Sequence, residues 1–242
     1  MTKLLYMEDF NFVECSAKII DIIQEHDKKF TIILDQTVFY PQGGGQPYDK
    51  GKIVSNNAIF IVEEVRFIDG IVKHIGFFES GIFKQGDEVK CLVDKSRRDL
   101  HSKLHSAGHV VDIAVEKLNL NWIPGKAYHF PEGPYVEYAG SLENVDKEKL
   151  KVDIENLCNQ LIQNGKETKL LFLSNKNELA KICKNVPDFL PDNKPIRVVM
   201  YGDIAIPCGG THVKNIAEIK GMTIRKLKLE KNNIRVSYDI IR

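Results

Sequence analysis

The apolar residues of this chain change period near residue 95, and that change limits the folds open to it. Before it, residues 18–23, 29–34, 58–67, 71–77 and 88–93 are short β-type stretches separated by turn residues, the pattern of a small barrel or sandwich. After it, Leu100, Leu104, Ala107, Val111, Ala114 and Leu118 recur at alternating spacings of four and three, the apolar stripe of an amphipathic helix over 96–118 with Ser96 as its N-cap. Further on, strands are expected at 133–138, 170–173 and 196–201, and helices at 144–164 and 175–184. A closing hairpin of 222–229 and 234–241 is expected to turn at Asn232 and Asn233. The predicted class is α+β: a β-barrel-like domain over residues 1–95, then a two-layer α/β domain over 96–242.

The helix carries an unusual ridge. His101, His105 and His109 lie four apart, so they sit about 40° apart around the axis and about 6 Å apart along it. His105 and His109 fall roughly 140° and 180° from the apolar stripe, which predicts a solvent-facing ridge and not core histidines. A histidine pair of this kind is by itself compatible with an ordinary solvated face. The segment "AIPCGGTHVKN", 205–215, changes that weighting. Pro207 and the Gly209-Gly210 pair make a helix unfavourable there, so Cys208 and His212 meet across a turn. His105, His109, Cys208 and His212 are then a set of imidazole and thiolate ligands suited to Zn²⁺, lacking the spacing of a zinc finger.

Such a site is either a closed structural staple or a catalytic centre. Between His105 and His109 stand Ser106, Ala107 and Gly108, so the glutamate base of HExxH metalloproteases is missing. An ester, whose alkoxide leaves more readily than an amine, asks for less help and is the expected substrate type. In the first domain, "DQTVFYPQGGGQPYDKG", 35–51, is glycine-rich without the Gly-Lys-Ser/Thr of a P-loop, and Phe39, Tyr40 and Tyr48 predict that its turn is packed.

Composition excludes more than it selects. The first twenty-five residues hold Glu8, Asp9 and Glu14 and show no signal peptide, and no apolar run is long enough to span a membrane. Five dispersed cysteines lack a disulfide framework, which fits a reducing cytoplasm. The net charge of +1 neither proposes nor forbids a nucleic-acid partner. From residue 214 to 242, eight Lys or Arg against three Asp or Glu give a local balance of +5, a weak pointer to phosphate.

Together, "LDQTVFYPQGGGQPYDKG", "HSAGH", "CGGTH" and the closing "IRVSYDI" resemble the AlaX alanyl-tRNA editing proteins, which are similar to the editing domain of alanyl-tRNA synthetase. The glycine motif favours the larger AlaX type, with a barrel-like domain ahead of the editing domain. It disfavours the related editing domain of threonyl-tRNA synthetase. The resemblance implies a free-standing, cytoplasmic hydrolase that acts in trans on mischarged alanine tRNA, removing serine and also glycine. That is the logic of a second sieve, since an alanine pocket rejects these two poorly. The resemblance assigns His105, His109, Cys208 and His212 to Zn²⁺, with Thr37 and Gln46 as catalytic-site residues that wall the pocket or contact the aminoacyl adenosine, and with Thr37 or a ribose hydroxyl of the substrate aiding the attack on the ester. Lys126, within "WIPGKAYHF", is the residue suspected of meeting a phosphate of the terminal CCA. His101 is expected at the surface or behind a ligand, and Asp112 as an exposed carboxylate, with orientation of a ligand as its alternative role. No membrane and no stable protein partner are inferred. The rival readings are a non-catalytic tRNA-binding protein with a structural zinc and a small-molecule esterase.

Overall fold

The computed structural model describes residues 1–25, 28–188, 190, 192 and 194–241, which divide into two units, Met1–Leu100 and His101–Arg242. In the first unit, β1 (Lys3–Leu4) runs into a single helical turn α1 (Leu5–Glu8). Then come β2 (Glu14–Gln24), β3 (Phe30–Leu34), β4 (Gln36–Thr37), β5 (Gly51–Val54), β6 (Ile59–Ile68), β7 (Ile71–Ser80) and β8 (Glu88–Val93). Six of these close a barrel in the order β2-β3-β7-β6-β5-β8, every neighbouring pair antiparallel. Ile19, Ile32, Leu34, Ile53, Phe60, Val65 and Val72 are buried within its core, because alternate residues of each strand face inward. Strands β1, β4 and β5 were missed by sequence reasoning, being only two to four residues long.

The glycine motif lies between β4 and β5. Gly44 and Gly45 take φ of +53° and +76°, the left-handed pair of a tight type I′-like turn closed by Gln46 N–H donating to Gly43 O at 2.8 Å. The expected packing is present: Phe39 and Tyr40 are buried, and the Tyr40 hydroxyl donates to Gly43 O at 2.9 Å. Asp49 anchors the far end, accepting from Tyr40 N–H at 2.7 Å and from the buried Arg98 guanidinium, which also donates to Phe10 O and Val38 O.

Helix α2 (Lys95–Lys117) begins one residue earlier than expected, because Asp94 and not Ser96 is its cap. The Asp94 carboxylate accepts from Arg97 N–H and from the Ser96 hydroxyl, and these bonds hold its pKa below the usual carboxylate range. The unit division falls inside this helix. The expectation of a solvent-facing histidine ridge is corrected: from His101 to Val115 only Lys103 and Asp112 are more than slightly exposed. A helix wheel reports the stripe facing one neighbour and cannot show that other elements cover the opposite side.

In the second unit α2 is followed by β9 (Ile123–Tyr128), β10 (Tyr135–Ala139), α3 (Lys147–Asn164), β11 (Thr168–Leu173) and α4 (Lys176–Leu179). The chain ends with β12 (Ile196–Tyr201), β13 (Ile204–Pro207), β14 (Met222–Glu230) and β15 (Asn233–Ile240). An antiparallel sheet β14-β15-β10-β9 buries Val136, Tyr138, Ile234, Val236 and Tyr238 on one face. Helix α3 docks there through Asn159, which exchanges hydrogen bonds with the backbone of Met222. Strands β11, β12 and β13 form a separate three-stranded sheet.

Helix α3 starts at Lys147 and not at residue 144, because Asp146 accepts from Lys149 N–H as N-cap while Asn144 takes a positive φ. The expected helix over 175–184 is regular only for α4, one turn capped by Asn175. The closing hairpin turns at Lys231 and Asn232, not at Asn232 and Asn233: these two hold φ of +48° and +66°, as a two-residue I′ turn requires. Strands β9 and β13 were not anticipated, since glycine and prolines break their alternation. Among the described residues no helix is long and apolar enough to cross a membrane.

Candidate metal centre

Two segments of the second unit meet on α2. His105 and His109 project from consecutive turns of the helix, and the 208–212 loop follows β13 across from them. Arg197 of β12 fixes that loop, donating through Nη1 to Cys208 O at 3.0 Å and Gly210 O at 2.8 Å, while Cys208 N–H donates to Arg197 O. Thr211 and Ser102 exchange a buried hydroxyl bond of 2.7 Å, which ties the loop to the helix. Gly210 N–H donates to Cys208 Sγ, closing the turn after the cysteine.

One ligand atom from each of His105, His109, Cys208 and His212 lies within 4.8 Å of the other three. Cys208 Sγ is 3.4 Å from His105 Nε2 and 3.3 Å from His212 Nε2. A zinc tetrahedron with bonds of about 2.3 Å to sulfur and 2.0–2.1 Å to nitrogen has edges of about 3.3–3.6 Å, so these separations fit the ion. Burial pulls the imidazoles of His105, His109 and His212 below their ordinary pKa, that of His109 to about 3. The rings are therefore neutral donors at physiological pH. Burial pushes the Cys208 thiol up to about 11, against the Gly210 N–H and the Arg197 charge. A neutral set of three buried imidazoles and a half-buried thiol, with ligand atoms converging, is the form a cation stabilises.

Three supporting residues escaped sequence reasoning. The Tyr201 hydroxyl, from β12, lies 3.3 Å from His109 Nδ1 and 3.1 Å from His212 Nδ1, and Ser106 Oγ is 3.2 Å from the latter. With both Nδ1–H groups donating to these oxygens, the two Nε2 atoms keep their lone pairs for a cation. His129 stacks on His105 with centroids 4.3 Å apart. Its Nδ1–H donates to Tyr238 Oη at 2.7 Å, and the Tyr238 hydroxyl donates onward to Leu104 O. This stacking explains the glycine of "HSAGH": a Cβ on Gly108 would stand 2.4 Å from His129 Cε1, inside any real contact. Only that glycine hinted at a covering group, and nothing in the sequence said which.

The other predicted residues have definite environments. His101 is buried, which corrects its surface assignment. Asp112 is half-buried and not exposed: it accepts from the Tyr138 hydroxyl at 2.5 Å, and burial pushes its pKa up to about 7. Lys126 is exposed on β9, at the edge of the four-stranded sheet. Thr37 and Gln46 belong to the first unit and are fully buried there. Thr37 Oγ1–H donates to His74 Nε2 at 2.8 Å and Oγ1 accepts from Phe39 N–H at 3.0 Å.

The chain is similar in sequence to known proteins. The family described as tRNA synthetases class II (A) matches residues 5–97, and the one described as Threonyl and Alanyl tRNA synthetase second additional domain matches residues 196–237. The alanyl-tRNA editing protein AlaX-M of Methanosarcina barkeri is 36% identical over 100% of both chains. Its namesake from Methanosarcina acetivorans is 32% identical over the same extent. The mitochondrial alanine–tRNA ligase of Saccharomyces cerevisiae is 32% identical over 85% of this chain but only 23% of the ligase. With full-length identity of this order to AlaX-M proteins, the chain belongs to the AlaX family of alanyl-tRNA editing proteins.

Proposed function

We propose that this chain is a hydrolase that deacylates mischarged alanine tRNA in trans, with serine and glycine as the amino acids removed. The four-residue cluster of His105, His109, Cys208 and His212 is the observation that carries the reading. Its three imidazoles are buried and Cys208 half-buried, its rings are neutral, and no carboxylate stands among its ligand atoms. When bound, zinc would supply Lewis acidity toward the ester. The chain's own contribution is to hold the cluster rigid: Tyr201 and Ser106 fix the ring orientation of His212, Tyr201 also that of His109, and Arg197 fixes the Cys208 turn. An ester substrate is consistent with the missing glutamate between His105 and His109.

Acting in trans agrees with the lengths of the relatives. AlaX-M proteins align end to end with this chain, whereas the ligase aligns over a quarter of itself. A second sieve for alanine must accept what the first pocket cannot reject, and a serine hydroxyl is held by polar groups. Gln46, whose amide offers both donor and acceptor, and Thr37, oriented by His74, are the proposed aminoacyl contacts. Lys126, exposed and basic on an edge strand, is the proposed phosphate contact. A role in translation fits a cytoplasmic protein.

The test is deacylation of seryl-, glycyl- and alanyl-tRNA(Ala) by the purified chain and by His109→Ala, with zinc content and circular dichroism measured on both. We expect hydrolysis of the two wrong esters with alanine spared, falling by about 10³-fold or more in a folded, zinc-depleted variant. A folded variant that loses zinc and still deacylates would assign the ion a purely structural role. A zinc-loaded wild type without hydrolysis would overturn the editing function.

A further inference from the structure

Two cysteines outside the metal centre face each other in the barrel. Cys15 of β2 and Cys91 of β8 are directly opposed in an antiparallel register, at the seam where the last strand meets the first. Opposed residues of antiparallel strands have Cα atoms about 4.5 or 5.5 Å apart and side chains on one face, and both distances fall within the 4.4–6.8 Å span of disulfides. Cys91 belongs to the buried barrel core, and Cys15 packs against that same core. The two are unequal in access, Cys91 being fully buried and Cys15 only half-buried. The neighbouring Cys91 thiol and Val38 amide hold the Cys15 thiol below its usual pKa, whereas the neighbouring Cys15 and burial push Cys91 well up.

We propose that Cys15 and Cys91 form a dithiol site for the disulfides of small thiols, closing into a reversible cross-strand disulfide that joins the barrel seam covalently. The Cys15 thiolate attacks one sulfur of the small disulfide, making a mixed disulfide and releasing one thiolate. Cys91, giving up its proton to the released thiolate, then attacks Cys15 Sγ and expels the second thiol. Two protein thiols are oxidised to one disulfide while one small disulfide is reduced to two thiols. The accessible, more acidic sulfur is the one that attacks, and the buried sulfur resolves.

The test uses the full zinc-loaded chain treated with oxidised glutathione, quenched in acid, alkylated after unfolding, digested and read by mass spectrometry. The expected product is a Cys15–Cys91 linked peptide that dithiothreitol reverses. In Cys91→Ser the reaction should stop at a glutathione adduct on Cys15, and in Cys15→Ser the modification of Cys91 should slow by about tenfold or more. The wild-type arm stands without either variant. A stable Cys15–glutathione adduct with Cys91 still alkylatable, or no reaction at either sulfur, would overturn the proposal.

Discussion

His74 in the barrel and His109 on α2 are both buried, and burial is the main cause that draws their imidazoles down to about 4 and about 3, with His129 and Arg197 adding to it at His109. Their surroundings differ in kind. His74 donates from Nδ1 to Ile32 O at 2.9 Å and accepts the Thr37 hydroxyl at Nε2, so both nitrogens are closed by groups of complementary sign. Around His109 the same burial gathers a second and third imidazole and a thiol, with the Tyr201 oxygen shared behind two of the rings. The first network balances donors against acceptors; the second collects acceptors. That asymmetry distinguishes a self-matched polar network from a cation site, because low dielectric rewards each pairing of donor with acceptor.

The largest effect is expected where the closed kind of network is opened. Arg98→Ala would leave the Asp49 carboxylate fully buried without its guanidinium, so unfolding free energy should fall by about 3–5 kcal/mol in urea titrations. A loss under about 1 kcal/mol would show that the barrel does not depend on its internal pairing. Next comes the acid response of His74. Its pKa is about 6.5 unfolded and about 4 folded, so between those values the unfolded chain binds more protons. Stability should therefore be complete above pH 6.5 and decline by up to roughly 3 kcal/mol as pH falls to 4. His74→Gln, which can still accept from Thr37, should flatten that part of the slope, and an unchanged slope would remove His74 from the account. The smallest effect falls on the open network. Tyr201→Phe keeps the ring and removes the shared oxygen, so zinc affinity in chelator competition should weaken about 10–100-fold in a protein of near-normal melting temperature. Unchanged affinity would mean that Ser106 and packing alone orient the rings.

What the sequence determined by itself was local: the change of period that separates a barrel from a helix-containing unit, the turn chemistry of the glycine motif, and the residue types of the metal set. These follow from backbone preferences and ligand chemistry, which act over a few residues. Even there, the cap at Asp94 and the turn at Lys231-Asn232 slipped by one or two residues, because several neighbouring side chains can satisfy the same backbone group. The tertiary structure decided what lies on the far side of each element. It buried the histidine ridge that the helix wheel turned toward solvent and put the Tyr201 oxygen behind His109 of that ridge and His212 of the loop. It also stacked His129 over the one position where α2 carries glycine, and set Cys15 opposite Cys91. Those neighbours are eleven to ninety-two residues apart in the chain, and periodicity carries no information about pairings that only the register of strands and the packing of elements bring into contact.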